Sequence, residues 1–146
     1  MFGNLGGLIM ATTLFRGPVL VGKKNEAGVT GYNIEEKSSN YTVVISTDSG
    51  KTITSKTKDV VFTLPAIAVG NVFTFVNTAE DGTNNLTISP NASDGITYKG
   101  SSTDDKDLIN TQSTSKVGDY VKIQAMNGDV TAWQVTDVQG VWAKES

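Results

Sequence analysis

Three features of the sequence predict an all-β fold, either an antiparallel β-sandwich or a barrel-like single domain. Short segments alternate apolar and polar residues with a period of two, as half-buried strands do, and no stretch keeps a helical period. The dipeptide Asn127-Gly128 separates two such segments and favours the positive φ angles of a tight hairpin. The 146 residues suffice for one domain with a sizeable core. We expect this β-domain at residues 23–146, after an extended N-terminal arm at residues 1–22.

The first strands of the domain are predicted from three segments. GYNIEE at residues 31–36 is a weak strand candidate, and YTVVIST at residues 41–47 is a stronger one because it is rich in β-branched residues. After a turn in DSGKT, the more polar segment TITSKTKD at residues 52–59 is predicted to be an edge strand. Three lysines would keep this edge from pairing with other chains: Lys51, Lys56 and Lys58.

The centre of the predicted fold lies at residues 60–90, with three strands and two turns. The strand VVFTL is followed by Pro65, which cannot donate a backbone hydrogen bond and therefore ends the ladder or borders an edge. AIAVG forms a loop or one helical turn before the strand NVFTFVN, and the polar turn EDGTNN precedes the strand NLTIS. With later strands, these segments supply the predicted core: Phe62, Leu64, Phe73, Phe75, Leu86, Ile88, Val121, Ile123 and Trp133.

The last third of the chain is predicted to contain a short strand, a long loop and a hairpin. The strand follows a turn at Asp94-Gly95, and residues 99–116 are the most loop-like stretch. VGDYVKIQAM and TAWQVTDV form the two strands of the hairpin, and a last strand carries Val141 and Trp142. No internal repeat is present, which argues against a solenoid.

The N-terminal segment, residues 1–22, differs from a secretory signal and from a membrane span. No Lys or Arg precedes Arg16, and glycines at positions 3, 6 and 7 interrupt the apolar residues. The segment is also too short and too polar to cross a bilayer. We therefore expect a flexible, apolar, extended arm and no membrane partner.

Composition excludes the commonest catalytic groups. The chain has no cysteine and no histidine, so disulfides, thiolate nucleophiles, imidazole bases and the usual zinc ligands cannot form. The glutamates that could serve in glycoside cleavage lie in polar segments, where nothing would raise a carboxyl pKa: Glu26, Glu35, Glu36 and Glu80. We predict no catalytic residues and no cofactor.

Two short motifs resemble ligand-binding loops and are better explained as turns. DSGKT ends like a phosphate-binding loop, but Ile45 stands where that motif needs its first glycine. The carboxylates Asp104, Asp105 and Asp107 lack the oxygen spacing of a calcium loop, so a solvated turn is favoured over a bound cation. We predict no metal site.

Charge and aromatic content bear on partners. The formal net charge is −3 and no Lys/Arg cluster is present, which argues against nucleic acid as a partner. Trp133 and Trp142 could form a sugar-stacking platform, but strand tryptophans more often fill or seal a core, and that interpretation is favoured here.

A family resemblance covers most of the chain. The segments DVVFTLPAIAVGNVFTFVNTAEDGTNNLTISPNASDGI and VGDYVKIQAMNGDVTAWQV resemble a pattern in structural proteins of tailed bacteriophages. MATTLFRGPVLVG at residues 10–22 is similar to the start of small phage head proteins encoded near major capsid genes. The resemblance implies a capsid decoration (cement) protein on the outer surface of the virion, often a homotrimer. Its partners would be the major capsid protein and neighbouring copies of itself.

The expected binding residues lie in the arm, which could reach an adjacent subunit. Fifteen extended residues at about 3.3 Å each span roughly 50 Å. The large apolar side chains predicted to contact the partner are Phe2, Leu5, Leu8, Ile9, Leu14 and Phe15. The alternatives are a phage fibre or tail-tip adhesin that binds a host receptor or glycan, and an unrelated carbohydrate-binding module or glycosidase.

Overall fold

The computed structural model describes residues 33–128 and 132–146, and these form two β-sheets with one short helical turn and one 3₁₀ turn. The all-β prediction is confirmed. The strands are β1 (Ile34–Glu36), β2 (Tyr41–Thr42), β3 (Thr52–Ser55), β4 (Val60–Thr63), β5 (Val72–Asn77), β6 (Leu86–Ser89), β7 (Gly95–Thr97), β8 (Leu108–Asn110), β9 (Tyr120–Ala125), β10 (Ala132–Gln139) and β11 (Trp142–Lys144). The helical turn α1 is Ile45–Asp48, and the 3₁₀ turn is Gln112–Thr114.

The chain alternates between the two sheets. The six-stranded sheet has the order β1-β3-β5-β9-β10-β7, and the five-stranded sheet has the order β11-β8-β6-β4-β2. From β1 to β8, each strand lies in the sheet opposite to that of its predecessor. Strands β1, β3 and β5 therefore run parallel to one another, as do β2, β4 and β6.

This winding corrects the expectation of a wholly antiparallel fold, because the pairing is mixed. Two parallel neighbours need a crossover connection between them, and here a strand of the opposite sheet supplies it. The antiparallel part includes β9, which pairs with both β5 and β10. Strands β9 and β10 are the predicted hairpin neighbours, with Trp133 opposite Ala125 and a bulge between Val135 and Asp137.

Three local predictions are wrong. The strand expected at residues 41–47 ends at Thr42, and helical turn α1 follows. The Asp48 carboxylate accepts the Val44 backbone N–H at 2.8 Å, a local bond that competes with an extended ladder. Strand β3 is not an edge strand, because it lies between β1 and β5. The expected loop at residues 99–116 contains the buried strand β8.

One hydrophobic core connects the sheets, and all nine predicted core residues belong to it with 0–1% exposure. The alternation in β5 is complete, since Phe73, Phe75 and Asn77 are buried while Val72, Thr74 and Val76 are half-buried. Trp133 is 0% and Trp142 is 3% exposed, so neither forms a sugar-stacking platform. In the described parts of the chain, no helix is long and apolar enough to cross a membrane.

Candidate functional site

The predicted partner-binding residues in the arm lie outside the described residues: Phe2, Leu5, Leu8, Ile9, Leu14 and Phe15. The expected arm at residues 1–22 and the first ten residues of the expected β-domain also lie outside them. The nearest described feature is a cluster of charged and polar side chains immediately after Asn33. We call it the root cluster, and its members are Glu35, Lys37, Tyr41, Asp48 and Lys51.

Two lysines and two carboxylates form the centre of the root cluster. The Lys51 ammonium donates to Glu35 Oε2 at 2.6 Å and to Asp48 Oδ1 at 3.2 Å. The Lys37 ammonium donates to Glu35 Oε1 at 2.6 Å and lies 3.7 Å from the centroid of the Tyr41 ring. The Tyr41 hydroxyl donates to Asp48 Oδ2 at 2.8 Å. Each charged group therefore has a partner of opposite charge.

Burial makes these contacts stronger than ordinary surface ion pairs. Asp48 is 1% and Lys51 is 8% exposed. Hydrogen bonds from Lys37 and then Lys51 lower the pKa of Glu35 to about 2. Burial opposes ionisation of Asp48, but hydrogen bonds from the Val44 N–H, Tyr41 and Lys51 outweigh it, so the pKa of Asp48 is also lowered. At neutral pH the two carboxylates and the two lysines of the cluster are therefore charged, and the pKa of the Tyr41 hydroxyl is raised, so it stays protonated.

The root cluster ties together β1, β2, α1 and the start of β3, and backbone pairing holds the first two of these elements weakly. Glu35 lies in β1 and Tyr41 in β2, and these two strands are the outermost of their sheets among the described strands. They contain only three and two residues. Lys51 at the start of β3 and Asp48 at the end of α1 hold both of them. The cluster therefore fixes the part of the domain that directly follows the N-terminal segment.

The geometry of the root cluster also bears on the DSGKT motif. Lys51 of DSGKT is engaged by Glu35 and Asp48, and Gly50 has a φ of +83°, so the segment is the predicted turn. No group of three His, Cys, Asp or Glu side chains that could hold a metal ion is present in the described part of the chain. Asp104, Asp105 and Asp107 are included in that statement.

Among the described residues, the three glutamates considered as catalytic candidates are not brought together as a pair of acids: Glu35, Glu36 and Glu80. Glu35 is held by two lysines. Glu36 forms an exposed ion pair with Lys56 at 3.3 Å, and Glu80 lies exposed in a turn. Glu26 lies outside the described residues.

A second polar network, which sequence reasoning missed, lies at the opposite end of the sheets, where β5 and β8 end. The Asn77 side-chain amide donates to Asn110 Oδ1 at 2.8 Å, and Asn84 donates to Asn77 Oδ1 at 3.2 Å. The Asn110 amide donates to Asp119 Oδ2 at 2.9 Å. The three asparagines are 0% exposed and Asp119 is 2% exposed. The network joins the six-stranded sheet to the five-stranded sheet at this end.

An open groove lies beside β7 and β10. Strand β7 pairs only with the first three residues of β10, so β10 extends beyond it. The groove has a volume of about 450 Å³ and is lined by Thr97, Tyr98, Lys99 and residues 134–138. Its lining is mixed, with half-buried valines between polar side chains.

The comparisons with known proteins assign no family. No protein-family model matches the chain, and no curated protein matches it.

Proposed function

We propose that the chain is a structural virion protein, a capsid decoration or cement protein that binds the outside of a phage head. In this proposal the N-terminal arm clamps the major capsid protein or a neighbouring copy, and the β-domain is a rigid, non-catalytic body that forms a homotrimer. The family resemblance of the sequence supports the proposal.

The observation that supports it most directly is the root cluster. An arm can hold the protein on a shell only if the domain to which the arm is attached is rigid. The first described strand, β1, pairs in parallel with β3 over three residues, Ile34 to Glu36. Its Glu35 carboxylate is held at 2.6 Å by both Lys37 and Lys51. Removing one partner from such a partly buried ion pair is costly, because the other charge is left without compensation.

The energetics of the arm explain why the body must be rigid. Six large apolar side chains could contribute on the order of 10 kcal/mol if fully buried. Ordering each flexible residue costs about 1–2 kcal/mol, so the net contribution of a single arm is small or even unfavourable. Useful stabilisation therefore needs a rigid attachment point, which adds no further ordering cost, and many copies on one shell.

Deleting residues 2–15 tests the proposal. We expect the truncated protein to keep the melting temperature of the intact chain, since the first residue of the described core is Val43. It should bind undecorated shells of the same phage more weakly in co-sedimentation, and decorated shells should rupture at a lower temperature. A full-length control with serine at the six apolar arm positions separates loss of apolar contact from loss of length. Shell binding as tight as that of the intact chain would show that the arm is not the clamp.

The adhesin alternative has one supporting observation, the groove beside β7 and β10. Tyr98, Lys99 and Asp137 line it and could contact the hydroxyl groups of a glycan. The tryptophans give this alternative no support, because both are buried. Binding of the intact chain to a glycan array, lost in Tyr98→Ala, would favour the adhesin over the decoration protein.

A further inference from the structure

The connection between β4 and β5 is an apolar loop on the surface of the domain. Residues 65–70, PAIAVG, contain no side chain that carries charge or forms hydrogen bonds. Ala66 is exposed, and Val69 is 58% exposed. Met126, directly after the neighbouring strand β9, is 40% exposed. We call these six residues and Met126 the apolar loop patch.

The loop is held in place by bonds from three directions. The Ile67 N–H donates to Asp94 Oδ2 at 2.9 Å, and the Ile67 side chain packs against the core. The Asn71 amide donates to the Ala68 carbonyl at 2.8 Å. The Gly70 N–H donates to the Ala125 carbonyl at 2.8 Å, and Val69 and Met126 are the chain neighbours of these two bonded residues. The backbone that carries the exposed apolar side chains is therefore already ordered, so binding of a partner would not incur the entropy cost of ordering this loop.

The apolar loop patch lies at the same end of the domain as the point where the N-terminal segment joins. The loop leads into the start of β5, and β5, β3 and β1 are adjacent parallel strands that all begin at this end. The Gly50 N–H donates to the Val72 carbonyl, and the Thr52 N–H donates to the Asn33 carbonyl. Two strand spacings, about 10 Å, separate the start of β5 from the start of β1.

We propose that the apolar loop patch is a second contact with the protein surface that receives the N-terminal arm, so that this end of the β-domain faces the shell. The inference rests on the proposed function. The occupant is an apolar surface of the shell protein, because the 32 residues that precede the described part join the domain at this end, and they include the six apolar side chains proposed to bind the shell. Two adjacent contacts on one rigid body reinforce each other, since the first places the second at high effective concentration.

The opposite end of the domain has a different surface. The exposed apolar side chains described there are Val117, at 61%, and Val141, at 55%. They are single valines in polar surroundings, with the Val117 N–H bonded to Asp81 Oδ1 and the Val141 carbonyl bonded to Asn110. Single exposed apolar side chains are common on soluble proteins and need no partner. Val117 therefore provides a matched control.

The test compares Val69→Asp with Val117→Asp in the full-length chain. Both side chains are more than half exposed, so both variants should melt within a few degrees of the original protein. In co-sedimentation with undecorated shells of the same phage, we expect Val69→Asp to bind at least tenfold more weakly and Val117→Asp to bind like the original. Met126→Asp should behave like Val69→Asp.

The possible outcomes separate the two proposals. If the original chain does not bind shells at all, the proposed function fails. If it binds and Val69→Asp binds equally well, the function stands and the docking inference is wrong. A loss confined to Val117→Asp would place the docking surface at the opposite end. If Val69→Asp abolishes concentration-dependent self-association in sedimentation velocity without changing shell binding, the patch is a contact between copies and the inference is also wrong.

Discussion

Phe62 and Phe75 stack across the two sheets, with ring centroids 5.1 Å apart and ring planes inclined by 24°. Phe62 lies in β4 and Phe75 in β5, so the pair joins the five-stranded sheet to the six-stranded sheet. Both side chains are 0% exposed. Phe75 also contacts Phe73, whose ring in turn lies 5.4 Å from that of Trp133. The centre of the core is therefore a continuous series of aromatic contacts, from Phe62 through Phe75 and Phe73 to Trp133.

Phe75→Ala should reduce the free energy of unfolding by about 3–5 kcal/mol, since it removes a fully enclosed ring and leaves a cavity. Urea unfolding monitored by tryptophan fluorescence measures the change. Val69→Ala, at an exposed position, is the control and should change stability by less than about 0.5 kcal/mol. A loss below about 1 kcal/mol for Phe75→Ala would mean that the site collapses around the cavity or is not enclosed.

The core was predictable from the sequence because period-two alternation reports directly which side chains share a face. The direction of pairing was not predictable, since a parallel and an antiparallel strand can carry the same alternation. The alternation of the chain between the two sheets also produces no repeat in the sequence. Ile34 pairs with Thr52 and Thr52 pairs with Thr74, spacings of 18 and 22 residues, and unequal spacings produce no fixed sequence period.

The root cluster was not predictable for a related reason. The sequence placed Lys51 at an edge strand, where a charged side chain would face water. In the structure its partner Glu35 is 16 residues away and is brought close only by the parallel pairing of β1 with β3. The helical turn that places Asp48 beside Lys51 replaces part of a predicted strand. A local sequence pattern cannot predict contacts that depend on the direction in which strands pair.

Gly140→Ala should be strongly destabilising, because a Cβ at position 140 would overlap the buried carboxyl group of Asp119. Gly140 also has a φ of +91°, which costs a residue with a Cβ roughly 1–2 kcal/mol. Gly118→Ala is the matched control, since Gly118 has a φ of +89° and no atom within 4 Å of the added Cβ. Thermal unfolding of the two variants should show a clearly larger loss for Gly140→Ala. Equal losses would mean that Asp119 moves aside without cost.

Asn110→Ala should destabilise the protein by about 3 kcal/mol, because it leaves the buried Asn77 amide and one bond of the Asp119 carboxylate without their partner. Asn91→Ala is the control. Its Oδ1 accepts only the Ser93 N–H in an exposed turn, so its loss should cost about 1 kcal/mol or less. Chemical unfolding of both variants measures the difference. A cost for Asn110→Ala no greater than that for Asn91→Ala would indicate that water replaces the missing amide.

Glu35→Gln should reduce stability in a pH-dependent way. The pKa of Glu35 is lowered from 4.5 to about 2 in the folded state by hydrogen bonds from Lys37 and Lys51. A lowered pKa means that the ionised carboxylate stabilises the folded state above about pH 4.5, and that this contribution disappears as the pH falls towards 2. The side chain keeps 31% of its surface exposed, so we expect a contribution of about 1–2 kcal/mol at pH 7 rather than the full value of the shift.

Glu36→Gln is the matched control for this measurement, because Glu36 belongs to the same strand. Its ion pair with Lys56 is exposed on both sides, at 50% and 67%, and such pairs contribute about 0–1 kcal/mol. Urea unfolding at pH 7, 4 and 2 should show Glu35→Gln less stable than the original protein at pH 7 and nearly equal to it at pH 2. The curve of Glu36→Gln should stay close to that of the original throughout. A constant deficit for Glu35→Gln at all three pH values would show that Glu35 acts through packing and hydrogen bonding, and that the charge of the root cluster does not stabilise β1.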